Sequence, residues 1–369
     1  MKLATGMKAV NFKRTHTLPF RFEVPNSTEV FLKTKTLSSS RIKFIKRYLY
    51  LQLKRQILLE INNITINHQK ILWINISAPS LGDSLMDLSS RVMLKDREID
   101  LFTDKKNAPI YKNDSYFSSV FSEYHMINKK KYDLVILDSY SSRSVYIKVQ
   151  MANSTPFVSM FGYYNGPEVN RVLFSFHQMN NLLDYKKKEN EINKLARPSI
   201  FISNDDKKFI KSFKLPRNFI AIVIGGEWEF RTFNNWGLVI EKLIMLDKNI
   251  TIILIGSHNG LEAANLIINK FPADRILNFV AKFTFNQTAE VINQAKYTVC
   301  CDGGLLHASN AVGKTTVSLL AKLDSNMQLT PANKSFSLFD DSNVNNISVK
   351  DVLKKCREAT NFIDKDLKD

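Results

Sequence analysis

The feature that most constrains this chain is the regular alternation of short apolar runs with helical stretches through its second half. Phe219–Ile224, Thr251–Ile255, Leu277–Phe279, Tyr297–Cys301 and Thr316–Leu320 read as strands, and Trp236–Leu246, Leu261–Phe271, Thr288–Gln294 and Leu305–Val312 read as the helices between them. Strands that are apolar throughout are buried on both faces, which a parallel sheet with helical crossovers provides. The chain from Lys70 begins the same way: an apolar run Ile71–Ile76, a loop 77–84 with Pro79 and Gly82, and a helix from near Leu85. Further strands are expected at Glu98–Phe102, Leu134–Leu137 and Phe157–Phe161. The fold class is α/β, with two Rossmann-like halves.

The expected division is a basic N-terminal extension over 1–69, a first domain over 70–195, a linker over 196–215, a second domain over 216–350, and a C-terminal helix and tail over 351–369. A chain of 369 residues that is 44% apolar can give each domain a core. The formal charge of +17 is uneven, since residues 1–70 hold fourteen Lys or Arg against three Glu. Within that region Ser38–Ser40 can cap a basic amphipathic helix, Arg41–Ile61, with Ile42, Ile45, Leu49, Leu53, Ile57 and Ile61 on one stripe. Such a helix packs on the domain that follows or lies on an anionic membrane. A basic region attracts nucleic acid, anionic lipid or a phosphorylated glycolipid alike. Here the aromatics are not interleaved with the basic run as stacking platforms would be, so nucleic acid is not an expected partner. No uncharged apolar run reaches the roughly 18 residues of a membrane span, and Met1–Phe12 lacks the apolar core of an export signal, which points to the cytoplasm. Cys300, Cys301 and Cys356 have neither metal-ligand nor disulfide spacing and read as core thiols.

Sheets of this kind bind ligands beyond the carboxyl ends of their strands, which directs attention to the loops after Ile76, Ile224, Ile255 and Cys301. The most informative run is Thr298–Val312, TVCCDGGLLHASNAV, where a buried strand ends in Asp302, turns through Gly303 and Gly304, and enters a helix carrying His307. Two glycines at a helix N-terminus let backbone N–H groups approach a diphosphate, and the helix dipole favours its charge. The bland reading is a tight turn capped by Asp302. Ser80-Leu81-Gly82-Asp83-Ser84 follows the first strand, and a carboxylate there can take a proton from an attacking sugar hydroxyl or merely cap a helix. The loop GGEWEFRTFNNW pairs Gly225 and Gly226 with Arg231, a cation suited to phosphate oxygens. Asp364-Lys365-Asp366 looks like a metal-binding triplet but lies in a charged tail, and Gly313-Lys314-Thr315 lacks the upstream glycine of a P-loop and reads as a turn.

Taken in order, ILWINISAPSLGDSL, KYDLVILDSYSSRSV and above all CCDGGLLHASNAVG resemble glycosyltransferase family 9, the bacterial heptosyltransferases that extend the inner core of lipopolysaccharide. The resemblance spans about Ile71 to Leu320. It implies a GT-B fold of two Rossmann-like domains facing a cleft, inverting transfer without a metal or other cofactor, and a nucleotide-activated heptose, ADP-heptose by expectation, as donor. It makes Asp83 the base and Asp302, Gly303, Gly304 and His307 the donor loop. Gly225, Gly226, Arg231, Asn234 and Glu262 are further candidate donor contacts, and Ser80 and Arg143 candidate acceptor contacts. The implied acceptor is a lipopolysaccharide or lipooligosaccharide core at the cytoplasmic face of the inner membrane, on whose anionic surface the basic extension would dock. The sequence departs from the family where Asn234, Asn235, Trp236 and Gly237 replace a Lys or Arg ahead of Trp-Pro, so the cation moves to Arg231. It departs again at the acid that holds the ribose, since His258 and Asn259 occupy the nearer positions and Glu262 stands in. These departures leave open another sugar nucleotide such as a UDP-hexose, and a non-catalytic glycan-binding relative is the remaining alternative.

Overall fold

The computed structural model describes residues 37–124, 132–164, 169–272 and 274–366. Residues 1–36 of the expected basic extension lie outside the described residues. In chain order the first elements are α1 (Leu37–Leu53), β1 (Lys70–Asn75), α2 (Leu81–Asp87), β2 (Glu98–Thr103), β3 (Ser119–Phe121), β4 (Leu134–Leu137), α3 (Ser142–Ala152), β5 (Phe157–Ser159) and α4 (Arg171–Leu182). There follow α5 (Asn204–Ser212), β6 (Phe219–Val223), α6 (Trp236–Leu246), β7 (Thr251–Ile255), α7 (Leu261–Ile268), β8 (Ile276–Asn278), α8 (Phe285–Gln294), β9 (Thr298–Cys301), α9 (Gly304–Ala311), β10 (Thr316–Ala321), β11 (Ser335–Asp340) and α10 (Val349–Asp366). The chain divides into two compact units, one holding the residues up to Pro79 and Asp87–Ile192, the other Ser80–Met86 and everything from Asn193.

The first unit is built on a five-stranded sheet in the order β3-β2-β1-β4-β5, parallel throughout. Four of its strands are the apolar runs the sequence marks, while β3 is not expected from the sequence, being three residues long and only partly buried at the sheet edge. β1 and β4 bury all or nearly all of their side chains, as the middle of a doubly covered sheet requires. Of the flanking helices, α1 differs from expectation in two ways. It stops at Leu53 rather than reaching Ile61, because Arg55 turns left-handed at φ 55° and Gln56 donates its N–H back to the Leu51 carbonyl at 2.8 Å. That closure usually has glycine where Arg55 stands. The buried stripe also differs: Phe44, Tyr48 and Leu51 are buried, whereas Ile42 is 54% and Leu53 79% exposed. Two aromatic rings and a leucine bury more area than the aliphatic stripe can, so they set the rotation of the helix. Phe44 packs 4.6 Å from the Tyr163 ring, and Leu51 joins Leu72, Val135 and Phe157 in the core.

Just past α1, the Gln56 side chain is buried and donates to Asn153 Oδ1 at 2.9 Å. Lys148 of α3, itself buried, donates to Gln56 Oε1 and to the Asn153 carbonyl. Burial lowers the Lys148 ammonium to about 8. The chain just past α1 is thus fastened to α3 and its C-terminal end by polar contacts, as α1 itself is to the core by apolar ones. No helix among the described residues is long and apolar enough to cross a membrane.

The second unit carries a six-stranded parallel sheet in the order β11-β10-β9-β6-β7-β8. The polar stretch ahead of it contains α5, closed by a capping box in which Ser203 and Asp206 satisfy each other's backbone N–H groups. Cys300, Cys301 and Cys356 are free and buried, and burial pushes Cys301 and Cys356 up to about 12, so they are inert core thiols. Asp364 and Asp366 pair with Lys296 and Lys334 at 3.0 and 2.7 Å, which fastens α10 to the sheet. Gly313 turns at φ 70° and Lys314 donates to the Ala295 carbonyl, so that run is a turn.

Candidate active site

In each sheet the chain reverses its direction of growth between two neighbouring strands, and ligands of such sheets bind beyond the strand ends at that point. In the second unit the reversal falls between β6 and β9, so the loops that follow them, carrying Gly225–Arg231 and Asp302–Gly304, emerge side by side. In the first unit it falls between β1 and β4, whose following loops carry Ser77–Pro79 and Asp138–Arg143. Three of these follow Ile76, Ile224 and Cys301, as the sequence directs; the loop after β4 stands in place of the one after Ile255, because β7 lies one strand away from the reversal.

The second unit holds the denser cluster. Asp302 ends β9 with its side chain 2% exposed, and Arg231, from the short turn Glu229–Arg231, places Nη1 3.1 Å from its Oδ2. His307, one turn into α9, is buried behind them and meets the Gln328 side chain. Burial raises the Asp302 carboxyl above the usual carboxylate range against the pull of Arg231 and then His307. Burial also lowers His307 below its ordinary value, so the imidazole is neutral at pH 7. Asp302 Oδ2, His307 Nδ1 and Arg231 Nε have no hydrogen-bond partner, since the Arg231–Asp302 contact is an ion pair without hydrogen-bond alignment. Buried polar atoms left this way are rare in folded proteins. Three in one cluster describe a place shaped for a polar ligand.

The N-terminus of α9 opens onto the same place. Gly303 precedes the helix without a side-chain cap, and nothing lies within 4 Å of where a Cβ would stand. The first N–H groups of α9 are therefore available to an anion. On the β6 side, Gly225 has φ 91°, and a Cβ there would come within 2.8 Å of Asn259 and Gly260. Asn259 Nδ2 donates to the Gly226 carbonyl at 2.7 Å and so holds this turn against the loop after β7. Nothing in the spacing of Asn259 signals this positioning role, which depends on the two loops being neighbours. Glu262 lies exposed in the first turn of α7. Asn234 is exposed and held through its backbone N–H by Asn345 Oδ1 at 2.8 Å.

Asp83 lies in α2, which starts at Leu81 rather than near Leu85 because Ser80 caps it. Asp83 Oδ2 accepts from Ser80 N–H and Oγ at 3.1 and 2.7 Å, and the Asp83 N–H meets Ser80 Oγ at 3.3 Å. The carboxylate is thus a helix cap. It is also part of the cluster, because it raises both Asp302 and His307 electrostatically. The first turn of α2 lies so close to His307 that a Cβ on Gly82 would stand 2.8 Å from His307 Cδ2. Asp83, Asp302, His307 and Arg231 therefore form one constellation within the second unit, and Ser80 serves it by holding Asp83.

In the first unit the loops after β1 and β4 are tied together by Asp138, a residue the sequence reading did not single out. Its buried carboxylate accepts the Ile76 and Ser77 N–H groups at 2.8 and 2.6 Å and the Ser144 hydroxyl at 2.6 Å. Beside this lies a cavity of 440 Å³ at the carboxyl ends of β1, β2 and β3, lined among others by Asp104, Lys105, Glu123, Arg143 and Tyr146. Arg143 Nη2 lies 2.9 Å from Asp104 Oδ1, and Lys105 pairs with Glu123. Exposed pairs like these contribute at most about 1 kcal/mol, so a ligand can exchange with them. Tyr124 and Tyr146 stand half-exposed in the wall. Charged groups of both signs beside aromatic faces suit a polyhydroxylated ligand.

The fold is that of solved glycosyltransferases. A family 9 glycosyltransferase from Veillonella parvula superposes with a TM-score of 0.66 at 15% identity, covering 81% of this chain and 99% of its own. The E. coli ADP-heptose lipopolysaccharide heptosyltransferase II gives 0.62 at 18% identity, over 79% and 98%. E. coli heptosyltransferase WaaC, solved with ADP, gives 0.56 at 16% identity, over 79% and 97%. These likenesses establish the two-sheet GT-B architecture expected from the sequence. No curated protein matches the chain in sequence. The model of "Glycosyltransferase family 9 (heptosyltransferase)" matches residues 125–363, and the chain, a glycosyltransferase, belongs to that family.

Proposed function

We propose that the enzyme transfers a heptose from a nucleoside diphosphate donor, ADP-heptose, to a lipopolysaccharide or lipooligosaccharide core acceptor, with inversion and without a metal. The observation that carries this reading is the buried cluster at the β6–β9 reversal, with its unsatisfied Asp302, His307 and Arg231 atoms beside the uncapped start of α9. In this reading α9 and Arg231 receive the diphosphate as charge accumulates on it, and Asp83 takes the acceptor proton. A neutral His307 donates no formal charge and serves as a hydrogen-bonding wall. Arg143 and the cavity around it take the acceptor sugar, whose phosphate or carboxylate groups displace Asp104 from the guanidinium.

Purified protein supplied with ADP-heptose and a truncated core acceptor is expected to release ADP and extend the acceptor. Release of UDP from a UDP-hexose in preference would replace the donor assignment, a reading left open by the departures at residues 234–237 and at His258, Asn259 and Glu262. Docking on the anionic cytoplasmic face of the inner membrane belongs to the same proposal. Its support is the unburied stripe of α1 and its sequel, where Ile42, Leu53 and Leu58 stand exposed near Lys46 and Lys54. Sedimentation with vesicles containing phosphatidylglycerol should then fall at least about fivefold in Leu53→Glu/Leu58→Glu, and equal sedimentation of the two proteins would exclude this surface.

A further inference from the structure

We propose that Lys322 is a second cation that binds the donor's diphosphate beside Arg231. This rests on the nucleotide-donor reading above and names a residue that neither the motif nor the resemblance points to. Lys322 follows β10, the strand next to β9, so it emerges beside the loop that carries Asp302. Its backbone is left-handed at φ 66°, and its N–H is anchored on the Asp340 carbonyl at 3.2 Å. That conformation costs energy for a side chain larger than glycine, and such residues concentrate at functional sites. The ammonium stands 3.8 Å from the centre of the Phe230 ring, and the Arg231 guanidinium carbon stands 5.2 Å from the same centre. The two cations thus meet at one aromatic ring, on the turn that follows Gly225 and Gly226.

The balance of charge decides which cation a diphosphate needs. Arg231 is committed to Asp302, and His307 is neutral. Asp83 adds a second negative charge to the cluster. Counted formally, Arg231, Asp302 and Asp83 sum to one negative charge, and Lys322 brings the cluster to neutrality, which lessens its repulsion of an anion of about two negative charges. Among the described residues, no carboxylate forms an ion pair with Lys322, which is exposed and lies over the Phe230 face. An ammonium held over a ring keeps most of its solvation and exchanges readily for a phosphate oxygen. Lys322 therefore adds charge that Arg231, shared with Asp302, does not supply alone, and Phe230 parks it beside that pair.

The test is calorimetric titration of the full-length protein with ADP and, separately, with adenosine, comparing wild type with Lys322→Met and Lys322→Arg. Lys322→Met is expected to weaken ADP at least about tenfold and to leave adenosine unchanged, while Lys322→Arg keeps ADP within about threefold. The slope of log affinity against log salt should also fall for ADP in Lys322→Met. Wild-type affinity for ADP in Lys322→Met overturns the assignment, as does an equal loss of ADP and adenosine, which a merely structural role would give. Wild type that binds neither ADP nor UDP overturns the nucleotide-donor reading itself, an outcome distinct from the first because it appears before any substitution is made.

Discussion

Asp83→Asn is expected to lower turnover by at least about a hundredfold while leaving ADP affinity within about twofold. The choice of Asn follows from the double role of this residue. Asp83 both caps α2 through Ser80 and belongs electrostatically to the Asp302–His307 cluster. An Asn oxygen still accepts the Ser80 N–H, so the cap survives, but the amide cannot take a proton. Ser80→Ala is the complementary control, since it removes the hydroxyl from the cap, at a cost of about 1 kcal/mol, and keeps the carboxylate. If Asp83 is only a cap, Ser80→Ala should lower turnover more than Asp83→Asn. If it is the base, the order reverses and the difference lies in kcat. Thermal melts of both variants report the cap directly, so folding and chemistry are read separately.

Arg231→Met is expected to abolish measurable ADP binding and to destabilise the second unit by about 2–3 kcal/mol. The larger part of that cost comes from leaving the Asp302 carboxylate buried beside no cation, and the figure stays below that of a fully buried pair because about a quarter of Arg231 faces solvent. The pH dependence gives the test its sign. Burial already holds the Asp302 carboxyl above the usual range, and Arg231 is the first influence opposing it, so the substitution raises it further. A carboxyl raised in the folded state binds more protons there than in the unfolded chain. Its contribution to stability is full below the ordinary carboxylate value and is lost as pH rises through the folded-state value. The stability gap between wild type and Arg231→Met should therefore be widest near pH 8 and narrow as pH falls towards 5, measured by urea denaturation. A gap that is flat or widens on acidification would mean that Asp302 is not the group left uncompensated.

Much of this was legible before the structure. Apolar runs of four to six residues between amphipathic stretches specify buried parallel strands wherever they occur, and β4 spans Leu134–Leu137 as read. The Asp302–His307 run was legible for a similar reason. A strand end, two glycines and a helix start are consecutive, so local geometry alone places them at a sheet edge. The rotation of α1 was not legible, because its sequence carries two apolar stripes and only competition for area on the sheet selects Phe44, Tyr48 and Leu51 over Ile42 and Leu53.

The roles of Asp138 and Lys322 were hidden for a different reason. Asp138 acts on backbone N–H groups some sixty residues earlier in the chain, and Lys322 meets a ring about ninety residues away from it. Strand order in a sheet decides both encounters, and strand order is set by which hydrophobic faces pack best together, a property of the whole unit. The sequence by itself determined that this chain makes two parallel sheets and which loops stand at their carboxyl ends. The tertiary structure alone decided which of those loops are neighbours, and hence that Asp302 pairs with Arg231 and that Lys322 stands at the Phe230 ring with no carboxylate partner among the described residues, because pairing between charges depends on distances of a few ångströms that only the packed sheet sets.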